Sequence, residues 1–149
     1  MNQATDWPDL AGRIDGPVHR LPIRVYFEDT DFSGLAYHGS FVRWCERGRS
    51  DWLRLLDISH RELIAAPEPA AFAVRRLTID YLKPARIDDA LEVVTACSGQ
   101  STATLTLHQE ILRHGIVLAT ADVLIVMIGQ SGRPQRLPAQ IRQAFANRS

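Results

Sequence analysis

The densest polar cluster in the chain is Glu28-Asp29-Thr30-Asp31, followed by Phe32-Ser33-Gly34 and then by Tyr37-His38. Asp31 offers a carboxylate, able to attack a carbonyl carbon or to activate water. A helical pattern starts just after His38, and the start of a helix offers free backbone N–H groups and a positive dipole end suited to a developing oxyanion. Gly34 permits the tight turn that brings the two together. That pairing suits hydrolysis of an acyl ester or thioester. The same aspartates also suit a plainer role, as turn and capping residues ahead of a helix.

The elements that must position this cluster can be read from periodicity. Ile23 to Phe27 is β-branched and aromatic and predicts a strand entering the acidic loop. From Gly39 to Leu56 the residues Phe41, Trp44, Cys45, Gly48, Trp52, Leu55 and Leu56 recur at three- and four-residue steps, which predicts one amphipathic helix. Gly48 lies in its buried stripe, where glycine costs roughly 1 kcal/mol against alanine. The helix is therefore expected to lie directly on a sheet there. A short second helix is expected over His60 to Ala65, with Ser59 and Glu62 as a capping box and Pro67 and Pro69 ending it.

Beyond Pro69 the period becomes two. Leu77, Ile79 and Tyr81 alternate with polar residues, as do Leu105 and Leu107, and Leu91 to Cys97 forms another strand. Arg75-Arg76 breaks the alternation and predicts a bulge. Ile116 to Ile128 is almost continuously apolar, as expected of a central strand covered on both faces, and His114-Gly115 is the hairpin turn before it. Pro138 to Asn147 has short-helix character. The order predicts an α+β fold in which four strands after the helices pair as an antiparallel meander. Residues 1–20 lack periodicity and are expected to be a mobile tail, with the domain spanning 21–149. One helix cannot cover a five-stranded sheet, so a homodimer or homotetramer is expected.

The 149 residues suit one core. A formal net charge of +0 and a pI near 7.0 argue against a nucleic-acid or anionic-membrane partner. Cys45 and Cys97 lack metal or disulfide spacing, so a reducing compartment and no metal are expected. The first residues lack the apolar run of a secretory signal, and no later run is long enough to span a membrane, so a cytoplasmic protein is expected.

Val25 to Asp31, Gly34, Tyr37-His38 and Glu46-Arg47 together resemble the signature of the hydroxybenzoyl-CoA thioesterase-like hotdog family. The nearest likeness within it is to the bacterial acyl-CoA thioesterases associated with the Tol-Pal system. The resemblance continues through Phe72 to Arg76, Tyr81, Pro84-Ala85-Arg86, Asp88-Asp89 and Leu137-Pro138. It implies a hotdog fold, a sheet wrapped around the long helix, with active sites at a dimer interface. It implies hydrolysis of an acyl-CoA without a cofactor, with Asp31 as the catalytic carboxylate and His38 as a second catalytic candidate. Where the family often has two consecutive tyrosines, this chain has Tyr26-Phe27.

Substrate contacts are expected from Tyr26, Gly34, Tyr37, Glu46, Arg76 and Arg136, with Lys83, Arg86 and Arg133 as further candidates for CoA phosphates. Glu46 also suits a structural pair with Arg49 or Arg43 at helical spacing. Cys45 reads as a core residue, and His108 and His114 as residues of a strand surface and a turn. Acyl carrier protein is a further candidate partner. The alternative function is a non-catalytic hotdog scaffold for acyl carrier protein or lipid-synthesis enzymes. A hotdog dehydratase is disfavoured because its His-Phe-Pro type of segment is absent.

Overall fold

Period-two segments form five long strands, extended by two short ones, in a computed structural model that describes residues 10–146. In chain order these are β1 (Arg13–Asp15), β2 (Val18–Arg24), β3 (Ala70–Tyr81), β4 (Ala90–Gln100), β5 (Thr104–Arg113), β6 (Ile116–Gly129) and β7 (Pro134–Gln135). The helices are α1 (His38–Leu55), α2 (His60–Ala65) and α3 (Ala139–Ala146). All pairings are antiparallel and the order across the sheet is β1-β2-β4-β5-β6-β3, with β7 added to the end of β6.

Several expectations hold in detail. Ser59 caps α2 by accepting from the Glu62 amide at 3.3 Å, which is the Ser59 half of the expected capping box. The register of β3 against β6 shifts between Val74 and Arg76, at the expected bulge. His114 and Gly115 have φ of 50° and 80°, as a tight hairpin turn between β5 and β6 requires.

Three expectations are corrected. The segment read as a tail reaching Arg20 carries β1 and the first three residues of β2, paired with each other and with β4; only its first nine residues lie outside the described chain. Backbone pairing decides here, since Arg13 to Arg20 has little apolar alternation to signal it. The strand expected at Ile23 to Phe27 ends at Arg24, and Phe27–Asp29 is a 3₁₀ turn. Finally, only β4, β5 and β6 form a meander. The β3 strand crosses over to the far side of β6, which puts β6 inside the sheet. In its middle β6 alternates, with Ala121 and Val123 buried and Asp122 exposed, so its second face is not fully covered.

One face of the sheet packs on α1, whose buried stripe includes Phe41, Trp44, Cys45, Gly48, Trp52 and Leu53. At Gly48 a methyl group would stand 2.9 Å from Val93 Cγ1 and 3.2 Å from Thr95 Oγ1, so only glycine lets the helix rest on β4. The fully buried Gln109 lies beside it, donating to the Cys45 carbonyl and to Thr95 Oγ1, both at 2.9 Å, and accepting from Arg49 at 3.0 Å.

Near its C-terminal end α1 is held by the buried Asp51. One carboxylate oxygen accepts from the Gly12 amide at 2.8 Å and lies 2.7 Å from His19 Nε2, and the other accepts from Arg54 at 3.2 Å. His19 Nδ1 is buried without a partner, so charging the ring would bury an N–H with no acceptor. Burial lowers the His19 pKa from its ordinary 6.5, partly opposed by Asp51. The unfolded chain then takes up a proton that the folded chain resists. The stability contributed is therefore full above about pH 6.5 and is lost as the pH falls toward the folded value. Asp51→Ala, which strands the Gly12 amide and the buried His19 ring, is expected to lower unfolding free energy by about 3 kcal/mol in urea titrations and to change the acid dependence of stability below pH 6.5. A variant as stable as the parent would show that Asp51 does not hold the helix.

Candidate active site

The two aspartates of the acidic cluster occupy opposite environments. Asp29 is buried: its side chain accepts from the Tyr26 amide at 2.9 Å and lies 3.8 Å from Arg43. Its carbonyl accepts from the Tyr37 amide and from Ser40 Oγ, each at 2.8 Å. Asp29 thereby ties the loop to the first turn of α1. Asp31 is exposed. Its backbone N–H donates to Leu35 O at 3.0 Å, and its carbonyl accepts from the Gly34 amide at 3.0 Å. Gly34 has φ of 81°, the left-handed conformation that closes this turn.

The Asp31 carboxylate accepts from Ser33 twice, from its amide at 2.8 Å and from its hydroxyl. These bonds stabilise the ionised form and hold the carboxyl below its ordinary 3.8, with His38 adding a smaller electrostatic lowering. Ser33 was not among the expected site residues. Its signal was the two-residue spacing from Asp31, which suits a local side-chain turn.

Tyr37 is the N-cap of α1 and makes no side-chain capping bond, so the first-turn amides are not satisfied by a cap. Its ring packs on that of His38, centroids 4.2 Å apart. Tyr81, from the end of β3, donates its hydroxyl to the His38 carbonyl at 2.9 Å and packs edge-on against Phe41. Between these elements lies a groove of about 300 Å³ lined by Leu35, Ala36, His38, Phe41, Tyr81 and Lys83 among others. Tyr81 also escaped the sequence-based site, because only the β3 crossover brings it to the start of α1.

The structure thus brings Tyr26, Asp31, Gly34, Tyr37 and His38 together around one loop, with Lys83 in the groove and Arg86 bridged to Leu35. The other expected contacts lie elsewhere. Arg76 lines a shallow depression with Thr78, Thr106 and Asp122. Arg136 follows β7, which pairs with Met127 and Ile128, whereas Tyr81 pairs with Ala119 near the other end of β6. Arg133 is on the same far side. Glu46 accepts from Ser50 at 2.6 Å and forms no ion pair with Arg43, which turns to Asp29. His108 bonds Asp122 on the sheet surface. Among the described residues no cluster of three or more His, Cys, Asp or Glu side chains is placed to hold a metal.

The thioesterase superfamily model matches residues 33–120. The chain is also 39% identical over 130 residues to the acyl-CoA thioester hydrolase YbgC of Escherichia coli, covering 86% of this chain and 96% of that protein. The chain belongs to the thioesterase superfamily. The acyl-CoA thioesterase YbgC of Haemophilus influenzae is 36% identical over 84% of this chain and 92% of its own length. A probable thioesterase from Bartonella henselae superposes with a TM-score of 0.79 at 38% identity, over 81% of this chain and 99% of that one. A DHNA-CoA thioesterase from Staphylococcus aureus shares the fold with a TM-score of 0.81 at 22% identity, over 87% and 89%. The fold of this thioesterase is accordingly the hotdog, and the chain is a thioester hydrolase.

The Ser33 contacts give a direct test. The Asp31 carboxyl carbon, followed by NMR, should titrate below 3.8 in the parent, and Ser33→Ala should raise its midpoint toward that value. An unchanged midpoint would remove Ser33 from the site.

Proposed function

We propose that this thioesterase hydrolyses an acyl-CoA to a free acid and CoA, with the Asp31 carboxylate driving the reaction and the first turn of α1 polarising the carbonyl. The observation that carries the reading is the contrast between the two aspartates. Asp29 is consumed in holding the loop, which leaves Asp31 as the ionised, accessible carboxylate beside a helix start that no side chain caps. As nucleophile it forms an acyl anhydride that water then opens; as base it takes a proton from the attacking water. Either way the C–S bond breaks, water supplies the new acid oxygen, and CoA leaves as its thiol. The developing oxyanion lies where first-turn N–H groups point. His38, between Tyr37 and Tyr81, orients or protonates a reacting group, and Lys83 and Arg86 lie where CoA phosphates would meet positive charge. The two unpaired, buried cysteines suit a reducing compartment such as the cytoplasm.

Two copies complete the enzyme in this reading. Most of the apolar residues of β6 are buried within the single chain, so the case for a second copy does not rest on that strand. The support lies in β3, a twelve-residue strand paired only with β6 among the described strands, and in uncovered apolar side chains beside the site and along that strand. Phe27 is 82% exposed, Val74 48% and Leu82 58%. A second copy that pairs along the β3 edge with two-fold symmetry satisfies both.

Asp31→Asn is expected to lower turnover of a reactive acyl-CoA at least about a hundredfold, and His38→Ala to lower it less, because the helix amides survive. Near-normal turnover of a folded Asp31→Asn protein would overturn the assignment, and a larger loss in His38→Ala would make the histidine the principal group. Activity per chain should also fall when light scattering across a dilution series shows dissociation; a folded monomer with full activity would refute completion by a second copy.

A further inference from the structure

The two halves of the acidic loop are anchored to different parts of the chain. The Asp29 half is tied to the start of α1 through Tyr37 and Ser40. The half that carries Asp31 is tied instead to the loop between β3 and β4. There the Ala36 amide donates to the Ala85 carbonyl at 2.8 Å, a backbone bridge pairs Leu35 with Arg86, and Leu35 accepts from the Asp31 amide at 3.0 Å. The placement of Asp31 therefore depends on what holds Pro84-Ala85-Arg86. Pro84 has no amide hydrogen to donate. The Asp89 carboxylate accepts from the Arg86 amide at 2.9 Å. Arg113, the last residue of β5, donates through Nη1 to that same carboxylate oxygen at 2.7 Å and to the Pro84 carbonyl at 3.2 Å. One guanidinium thus joins the two sides of the loop. Burial would raise the Asp89 carboxyl, but the Arg86 amide and Arg113 outweigh it and hold the group below its ordinary 3.8.

We propose that Arg113 is a positioning residue for the hydrolysis: it clamps the Pro84–Asp89 loop and, through Ala85 and Arg86, fixes the Asp31 carboxylate relative to the first turn of α1. The inference rests on the reading of Asp31 as the reacting carboxylate. Asp31 is exposed, and its side-chain bonds run to Ser33 inside the same turn. Those bonds orient the carboxylate within the turn, whereas the contacts of Leu35 and Ala36 place the turn as a whole. Arg113 does not line the groove beside His38, so its effect travels through the loop and not through the substrate. A reacting group displaced by about 1 Å costs up to about a hundredfold in rate, so a clamp of this kind matters to turnover without touching the thioester. A role in holding the CoA phosphates would act instead through Lys83 and Arg86 and would change KM.

Arg113→Met removes the guanidinium and keeps an apolar stem. In the full chain, hydrogen exchange followed by NMR should quicken at least about tenfold at the Asp31 and Ala36 amides. The Tyr37 amide, which bonds to the Asp29 carbonyl, should keep its parental rate. Against butyryl-CoA, kcat should fall about tenfold with KM within about twofold of the parent, and the phosphate-free butyryl thioester of N-acetylcysteamine should lose the same factor in kcat. Arg113→Lys, whose ammonium can donate to both acceptors, should recover most of that loss. Parental exchange at Asp31 and Ala36, parental kcat in folded Arg113→Met, or a change confined to KM for butyryl-CoA would overturn the proposal. Asp31→Asn keeps the two readings apart. Normal turnover in that variant defeats the catalytic assignment, whereas an inactive Asp31→Asn beside a fully active Arg113→Met defeats only the role of Arg113. Should Arg113→Met fail to fold, Asp89→Asn takes its place, since it keeps an acceptor for the Arg86 amide and loses the ion pair; parental kcat in that variant would likewise overturn the proposal.

Discussion

The backbone of α1 touches the sheet at Gly48, and the position of everything at the helix start follows from that contact. A single added methyl group would press on Val93 and Thr95. The interior is packed too densely to absorb such a shift without moving the helix or the strand. Beside the contact, the Gln109 amide joins α1, β4 and β5 through the Cys45 carbonyl and Thr95, so the approach is fixed by direction as well as by distance. The helix is further held by Asp51 near its end and by Tyr81 at its beginning. Gly48 lies ten residues beyond His38, about 15 Å along the axis. A helix seated at these three heights has little freedom to tilt, and its first turn stays within reach of the Asp31 loop.

The acidic loop shows how one short sequence supplies both a scaffold and an exposed carboxylate. Asp29 and Asp31 are chemically identical and two residues apart, yet the first is enclosed by Tyr26, Tyr37, Ser40 and Arg43 and the second faces water. Asp29 gives its acceptors to the start of α1 and has no freedom left to react. Asp31 keeps its exposure and receives two hydrogen bonds from Ser33, which favour the charged form without enclosing it. A carboxylate that must remain ionised and accessible is best supported in this way, by local donors in a turn closed by Gly34.

Much of this was legible in the sequence because it is local. The helix at Gly39 to Leu56, the cap at Ser59, the bulge at Arg75-Arg76 and the turn at His114-Gly115 each rest on neighbours within a few residues. The close approach at Gly48 was legible too, as a glycine out of place in a buried stripe. What escaped depends on partners distant in the chain. The β1–β2 hairpin is defined by pairing with β4, and no property of Arg13 to Arg20 alone announces it. The crossing of β3 to the far side of β6 brings Tyr81 to His38, and a strand order of that kind leaves no mark on periodicity. The buried His19–Asp51 contact likewise joins two polar residues far apart in the chain, and nothing local to either marks them as partners. Arg76 and Arg136 were drawn toward the site by their charge, and the sheet register places them away from it.

The departure at Phe27 can be argued from its surroundings. In a single copy its ring is largely exposed, so a hydroxyl at that position would meet solvent and no described side chain. Any contribution from a tyrosine there must therefore come through a second copy or through the substrate. Phenylalanine keeps the apolar surface for such a contact and gives up the hydrogen bond. Tyr26 beside it retains a hydroxyl and is also exposed, while its backbone is already committed to Asp29. Tyr26, Phe27 and Phe32, all exposed, give the loop an apolar outer surface, while Asp31 takes its side-chain donor from Ser33. In the proposed site the polar work would fall to the Asp31 carboxylate, to His38 and to the helix amides, and in the proposed two-copy enzyme this apolar surface would exclude water as the second copy and the substrate close over it.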